Sequence, residues 1–163
     1  MSSITVYLFS HADGAGRNSR IEKAWNLYTG RTEAAEAILE KDGKGCPHIL
    51  PKPEVYVSIS DSDDFWLIAF SHQRIGIDLQ RMEAPYMTRE KDTKSRCIRL
   101  ARRFFHPEEA EFVCAEEETE EVSRRFFKIW TAKEAFVKFT GTGIDNSFTE
   151  FDVLENGMLE KME

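Results

Sequence analysis

Three short apolar runs, Val55 to Ile59, Phe65 to Phe70 and Ile75 to Leu79, follow one another with only turn formers between them, Asp61-Ser62-Asp63-Asp64 and Ser71-His72-Gln73. Runs of strand length joined this tightly predict an antiparallel meander. Ile4 to Phe9 reads as a further short strand, followed by a polar loop, His11 to Arg20. Helical spacing then takes over. From Arg20 to about Lys41 the apolar residues Ile21, Ala24, Leu27, Tyr28, Ala35, Ile38 and Leu39 recur at helical intervals, broken near Thr29-Gly30, which predicts two short helices. Asp42 to Pro53 concentrates Gly and Pro and reads as a loop.

Beyond the meander, Met87 to Phe105 has the periodicity of a helix with one basic side. His106-Pro107-Glu108-Glu109 is a helix start, with Pro in the first turn and acids at the positive end of the helix dipole. A longer helix is predicted from about Glu120 to Thr140, stopped by Gly141 and Gly143. Phe148 to Leu154 and Met158 to Lys161, on either side of Asn156-Gly157, carry the signal of a hairpin. These elements give an α+β fold of antiparallel strands packed with helices. The 163 residues, 41% of them hydrophobic, suffice for one domain spanning 1–163.

The formal charge of -7 argues against a nucleic-acid coat protein, which needs a surplus of Lys and Arg. That charge is segregated. Residues 88–103 hold seven Lys or Arg against two acids, and residues 104–121 hold eight Glu with no Lys or Arg. Cys46, Cys97 and Cys114 have neither a disulfide framework nor a zinc spacing, so reduced thiols and a cytoplasmic location are expected. The first residues lack a basic leader region, and no stretch approaches the roughly 20 apolar residues of a membrane span. His11, His48, His72 and His106 have no mutual spacing that suggests a metal site, which leaves them surface or loop roles.

Two segments carry candidate chemistry. In Gly76-Ile77-Asp78 an acid stands at a strand end. In Trp130 to Lys138, WTAKEAFVK, the residues Trp130, Glu134 and Lys138 stack along one helix face, with Lys133 in a neighbouring row. Taken alone, Asp78 also reads as a surface acid and Glu134 with Lys138 as an ordinary helical ion pair. Taken together, carboxylates from two elements can hold one Mg²⁺, with a lysine to neutralise phosphate. The combination suggests Mg-assisted phosphoryl chemistry.

These two segments resemble the signature of the 4′-phosphopantetheinyl transferases, in particular the larger type that activates peptide and polyketide synthases. That family pattern is G-(I/V)-D followed some tens of residues later by W-(S/T)-x-K-E-(S/A)-x-x-K. Gly76-Ile77-Asp78 and Trp130-Thr131-Ala132-Lys133-Glu134-Ala135-Phe136-Val137-Lys138 match both halves. Phe104-Phe105-His106-Pro107-Glu108-Glu109 matches the family's Phe-Phe and acidic helix start, which makes Glu109 a family-position candidate, and Gly141-Thr142-Gly143 stands where the family has a glycine loop. Gly45-Cys46-Pro47 and Ser58-Ile59-Ser60-Asp61-Ser62 keep the spacing of the family's G-K-P and N-I-S-H-S segments. The resemblance covers about residues 45–155 and leaves 1–44 outside it.

It implies the fold of that family and transfer of 4′-phosphopantetheine from coenzyme A, the co-substrate, to a serine of an apo acyl or peptidyl carrier protein. By position, Asp78, Glu134 and Gln80 would hold Mg²⁺, and Glu134 and Lys138 would be catalytic. Lys133, Ser62 and Pro47 would contact coenzyme A. The basic helix with Arg89, Lys94, Arg96 and Arg99 would dock the acidic carrier protein; neither nucleic acid nor a membrane is an expected partner. Three positions depart from the family pattern: Asp61 replaces a phosphate-contacting His, Cys46 a Lys near the adenine, and Gln80 an acid. They define a second reading, a family-derived protein that binds a carrier or another partner without efficient catalysis.

Overall fold

The computed structural model describes residues 3–30, 38–41, 43, 47–50, 54–82, 90–142 and 146–154. The chain divides into two compact units interleaved in sequence, residues 1–79 with 135–142, and residues 80–134 with 143–163.

The first unit is built on a five-stranded antiparallel sheet in the order β1-β5-β4-β3-β2. Its strands are β1 (Thr5–Ser10), β2 (Ile38–Lys41), β3 (Pro47–Leu50), β4 (Tyr56–Ser62) and β5 (Phe65–Ser71). β4 and β5 are joined by the two-residue turn Asp63-Asp64, with Asp63 at φ 45°. Helix α1 (Arg17–Thr29) buries Ile21, Ala24 and Trp25, which share a core with Phe9, Val57, Trp66, Ile68 and Phe70. Tyr28 stacks on Phe70 at 4.9 Å between ring centroids. Strand alternation then decides the other sheet face. Val57 and Ile59 point into this core, so Ser58 and Ser60 project from the opposite side of β4.

The segment Ile75–Leu79, expected as the third strand of a meander, is not a ladder strand. It hangs from serine side chains, with Ile77 N–H donating to Ser58 Oγ at 3.0 Å and Leu79 N–H to Ser60 Oγ at 3.1 Å. Side-chain acceptors replace carbonyls, which a pattern of apolar residues does not encode. Gly76 is required by the same packing. A Cβ built there would lie 2.0 Å from the Ala135 carbonyl oxygen and 2.4 Å from the Phe139 nitrogen, because the segment runs directly against the backbone of the last helix.

The structure corrects four further expectations. Ile38–Lys41 is a strand rather than the end of a second helix, since its apolar residues pair with β3 in the register Ile38↔Leu50 and Leu39↔Ile49. Pro47–Leu50, expected as loop, is that partner strand. α1 begins at Arg17, inside the predicted loop, after Gly16. Phe148 belongs to a 3-10 turn, Asn146–Thr149, and no strand forms over residues 150–154. The predicted Asn156-Gly157 turn lies outside the described residues.

The second unit packs α2 (Glu90–Phe104), α3 (Pro107–Cys114) and the first part of α4 (Thr119–Thr140), whose last residues, from Ala135, belong to the first unit. Cys97, Ala101, Phe105, Val113, Val122, Phe126 and Ile129 form its core, with Phe126 stacked on Phe105 and on Trp130 at 5.2 and 5.7 Å. A buried ion pair lies inside it. Lys133 Nζ and Glu109 Oε2 are 2.8 Å apart, and both side chains are 0% exposed. The ammonium also donates to the carbonyls of Phe148 at 2.7 Å and Phe151 at 2.5 Å. Glu109 in turn accepts from the His106 N–H at 2.9 Å and the Val153 N–H at 2.8 Å. Burial pushes the Glu109 carboxyl up and the Lys133 ammonium down from their ordinary values, and each partner opposes the other's shift.

Three variants test this packing. Gly76→Ala should cost on the order of 3 kcal/mol in urea unfolding, since the new methyl meets backbone that cannot swing away; an unchanged midpoint contradicts the close approach. Lys133→Met should cost about 3–5 kcal/mol by leaving Glu109 without its partner. The double variant Glu109→Gln/Lys133→Met should lose less than the sum of the two single variants, as a double-mutant cycle would show.

Candidate functional site

Asp78 and Lys138 come from the two halves of the signature, sixty residues apart, and both lie in the first unit. Lys138 Nζ donates to Asp78 Oδ1 at 2.6 Å. The Asp78 side chain is 8% exposed and that of Lys138 31%, so the carboxylate is held inside while the ammonium still meets solvent. Ser60 completes the group. Its hydroxyl donates to Asp78 Oδ1 at 2.7 Å and accepts from Lys138 Nζ at 3.0 Å and from the Leu79 N–H at 3.1 Å. One donor and two acceptor sites are all that a hydroxyl has, and each is used. Among the described residues the second carboxylate oxygen of Asp78 makes no hydrogen bond, which leaves it able to accept a further cation or donor.

The local reasons follow from sequence. Ser60 points at Asp78 because it sits two residues after Ser58 on one face of β4, and the same face carries the extended segment. Lys138 reaches Asp78 because Gly76 lets that segment approach α4. An acid, a hydroxyl and a partly exposed ammonium in contact can orient one another and present positive charge to an anion.

The other expected site residues are placed as follows. Glu134 precedes Lys138 by one turn of α4 and is buried at 9% exposure. Gln80, Pro47 and Ser62 are half-buried, Pro47 at the start of β3 and Ser62 at the end of β4. Asp61 is exposed and Cys46 lies outside the described residues. Lys133 corrects its expectation. A lysine with no exposed surface and three protein acceptors on its ammonium is placed to hold the second unit together rather than to meet phosphate. Glu109 is likewise interior, so its place at the helix start serves the buried pair. Ser60 is the residue that sequence reasoning passed over in favour of Ser62, although its position two residues beyond Ser58 was a readable signal.

On the basic helix, Arg99, Arg102 and Arg103 are exposed, and Lys94 is turned onto the Glu117 carbonyl. Arg89 lies outside the described residues. No helix among the described residues is long and apolar enough to cross a membrane.

Known proteins match this framework. The family model of the 4′-phosphopantetheinyl transferase superfamily matches residues 74–158, just over half of the chain and inclusive of Gly76, Asp78, Glu134 and Lys138. Psf-1 of Bacillus pumilus, a 4′-phosphopantetheinyl transferase, is 28% identical over 116 residues, which cover 71% of this chain and 45% of that protein. Sfp of Bacillus subtilis strain 168 is 30% identical over 109 residues, 67% of this chain and 43% of its own length. HetI of Nostoc sp. PCC 7120 is 39% identical over 88 residues, 53% of this chain and 33% of its own. The chain spans less than half the length of the curated relatives it matches. A signature whose two halves meet as Asp78 and Lys138, within a matching region of this extent, has one explanation: the chain belongs to the 4′-phosphopantetheinyl transferase superfamily.

Proposed function

We propose that the protein transfers 4′-phosphopantetheine from coenzyme A to a serine of an apo carrier protein. The observation that carries this reading is the contact of Asp78, Ser60 and Lys138, which draws on both halves of the signature. In the proposed reaction the serine hydroxyl attacks the β-phosphorus of coenzyme A. A new P–O bond forms, the pyrophosphate bond breaks, and 3′,5′-adenosine bisphosphate leaves.

Each side chain has a defined task. Glu134, directly or through a water, takes the proton of the attacking hydroxyl. Lys138 places its ammonium against the leaving phosphate, whose charge grows as the bond breaks. Ser60 fixes both Asp78 and Lys138, so it acts as a positioning residue. By their positions in the family pattern, Asp78, Glu134 and Gln80 would supply oxygen donors of the kind that Mg²⁺ takes, and among the described residues one carboxylate oxygen of Asp78 makes no hydrogen bond. Bound there, Mg²⁺ would neutralise pyrophosphate charge.

The partner is an acidic carrier protein that meets the exposed Arg99, Arg102 and Arg103 of α2, a contact that weakens with salt. A cytoplasmic location accords with the free thiols of Cys97 and Cys114.

Incubated with coenzyme A, Mg²⁺ and an apo carrier protein, the wild type should add one phosphopantetheine per carrier, read by mass spectrometry. Lack of the adduct with fatty-acid, polyketide and peptide carriers alike contradicts the reading. Asp78→Ala and Glu134→Ala should lower the rate by about 1,000-fold, and Lys138→Met by about 100-fold. Ser60→Ala should keep the fold and lower kcat by about tenfold with a smaller change in KM, since it removes positioning rather than binding. Chelation with EDTA should stop the reaction, and added Mg²⁺ restore it.

A further inference from the structure

A second constellation lies wholly within the second unit and has no task in the reaction above. His106, which precedes α3, Glu108 in its first turn, and Asp152, which follows the 3-10 turn, each offer one ligand atom, and these atoms all lie within 4.8 Å of one another. His106 Nδ1 is buried and has no hydrogen-bond partner among the described residues. His106 is the N-cap of α3, with its side chain facing the Glu109 N–H, and two carboxylates stand beside it.

We propose that His106, Glu108 and Asp152 bind a divalent transition-metal ion of the zinc class. The chemistry of the donors selects the ion. Imidazole with carboxylate suits zinc and its neighbours in the first row, whereas Mg²⁺ favours oxygen donors alone. Two carboxylates balance the ion's charge. Tetrahedral zinc with bonds of roughly 2.0–2.2 Å needs its ligand atoms about 3.3–3.5 Å apart, so the side chains must draw together modestly. Glu108 is exposed, so an inward turn of its side chain displaces only water.

The two arms of the site are already fixed to each other. The Glu109 carboxylate accepts from the His106 N–H through one oxygen and from the Val153 N–H through the other. Lys133, its ion-pair partner, holds the Phe151 carbonyl at 2.5 Å, one residue before Asp152. The backbone that carries the ligands is thus pinned on both sides by these bonds, and only side chains need to move. A bound ion would tie the start of α3 to the segment around 152 and stabilise the second unit. The site does not depend on the transferase reading, and its failure would leave that reading untouched.

The test uses the full-length protein, dialysed against EDTA and then freed of it, and titrated with ZnCl2 by calorimetry. The expected result is one saturable site and a melting temperature that rises with zinc, while MgCl2 at the same concentration produces neither. Glu108→Gln, a change at an exposed side chain, should weaken binding by more than about tenfold, and Asp152→Asn should weaken it as well. His106→Gln should remove binding at equimolar zinc. Should His106→Gln fail to fold, Glu108→Gln and Asp152→Asn decide the matter. Lack of saturable binding by the wild type, or zinc held as tightly by Glu108→Gln and Asp152→Asn as by the wild type, overturns the proposal. Binding lost on Cys114→Ser and kept in Glu108→Gln overturns it too, by assigning the zinc to a thiol.

Discussion

An ammonium with no access to water must find an acceptor for every proton, and the second unit is organised around that demand. Lys133 meets it with one carboxylate and two carbonyls, and Glu109 completes the arrangement by capping the start of α3 and bonding the Val153 N–H. Three stretches that are distant in sequence, the start of α3, the middle of α4 and the chain from 148 to 153, are thereby fixed with respect to one another. Hydrophobic packing of Phe105, Phe126 and Trp130 is less directional and could not by itself set these positions. Buried polar bonds can, because each lost bond would leave an uncompensated group.

The two lysines of the WTAKEAFVK segment therefore divide their work. Lys133 faces the interior of one unit and Lys138 meets Asp78 at a partly open position in the other. Their separation by five residues on one helix puts them on different sides of it. A cation that can serve phosphate must keep some exposure, and Lys138 does. A cation that has lost all exposure is a structural element, and in this chain one short segment carries both kinds.

Much of this could be read along the chain. The strands β1, β4 and β5 and the helices α2 and α4 are legible in the sequence, with observed bounds that differ from those expected by a few residues, and α3 is legible as a helix start at His106-Pro107-Glu108-Glu109. The glycine and acid of Gly76-Ile77-Asp78 were legible as a motif, though not the reason for the glycine, which is contact with the Ala135 carbonyl. Ile38–Lys41 was misread because helical spacing and a short strand look alike over four residues. Ile75–Leu79 was misread because its partners are hydroxyls, and no apolar pattern reports whether a neighbour offers a carbonyl or a side chain.

The sequence by itself determined the α+β class, the family signature and the residue types capable of phosphoryl chemistry, since periodicity and motif spacing are local properties. It also determined that charge is segregated along the chain, basic in α2 and acidic after it. Only the tertiary structure decided which of those residues touch. It joined Ser60 and Lys138 to Asp78 across 18 and 60 positions, and sent Lys133 inward to Glu109. It also brought Asp152 to His106, a histidine with no metal-like spacing in the sequence. The physical reason is the same in each case. A buried charge or donor takes the partner that closure of the chain brings within about 3 Å, and that partner's sequence distance has no bearing on the energy.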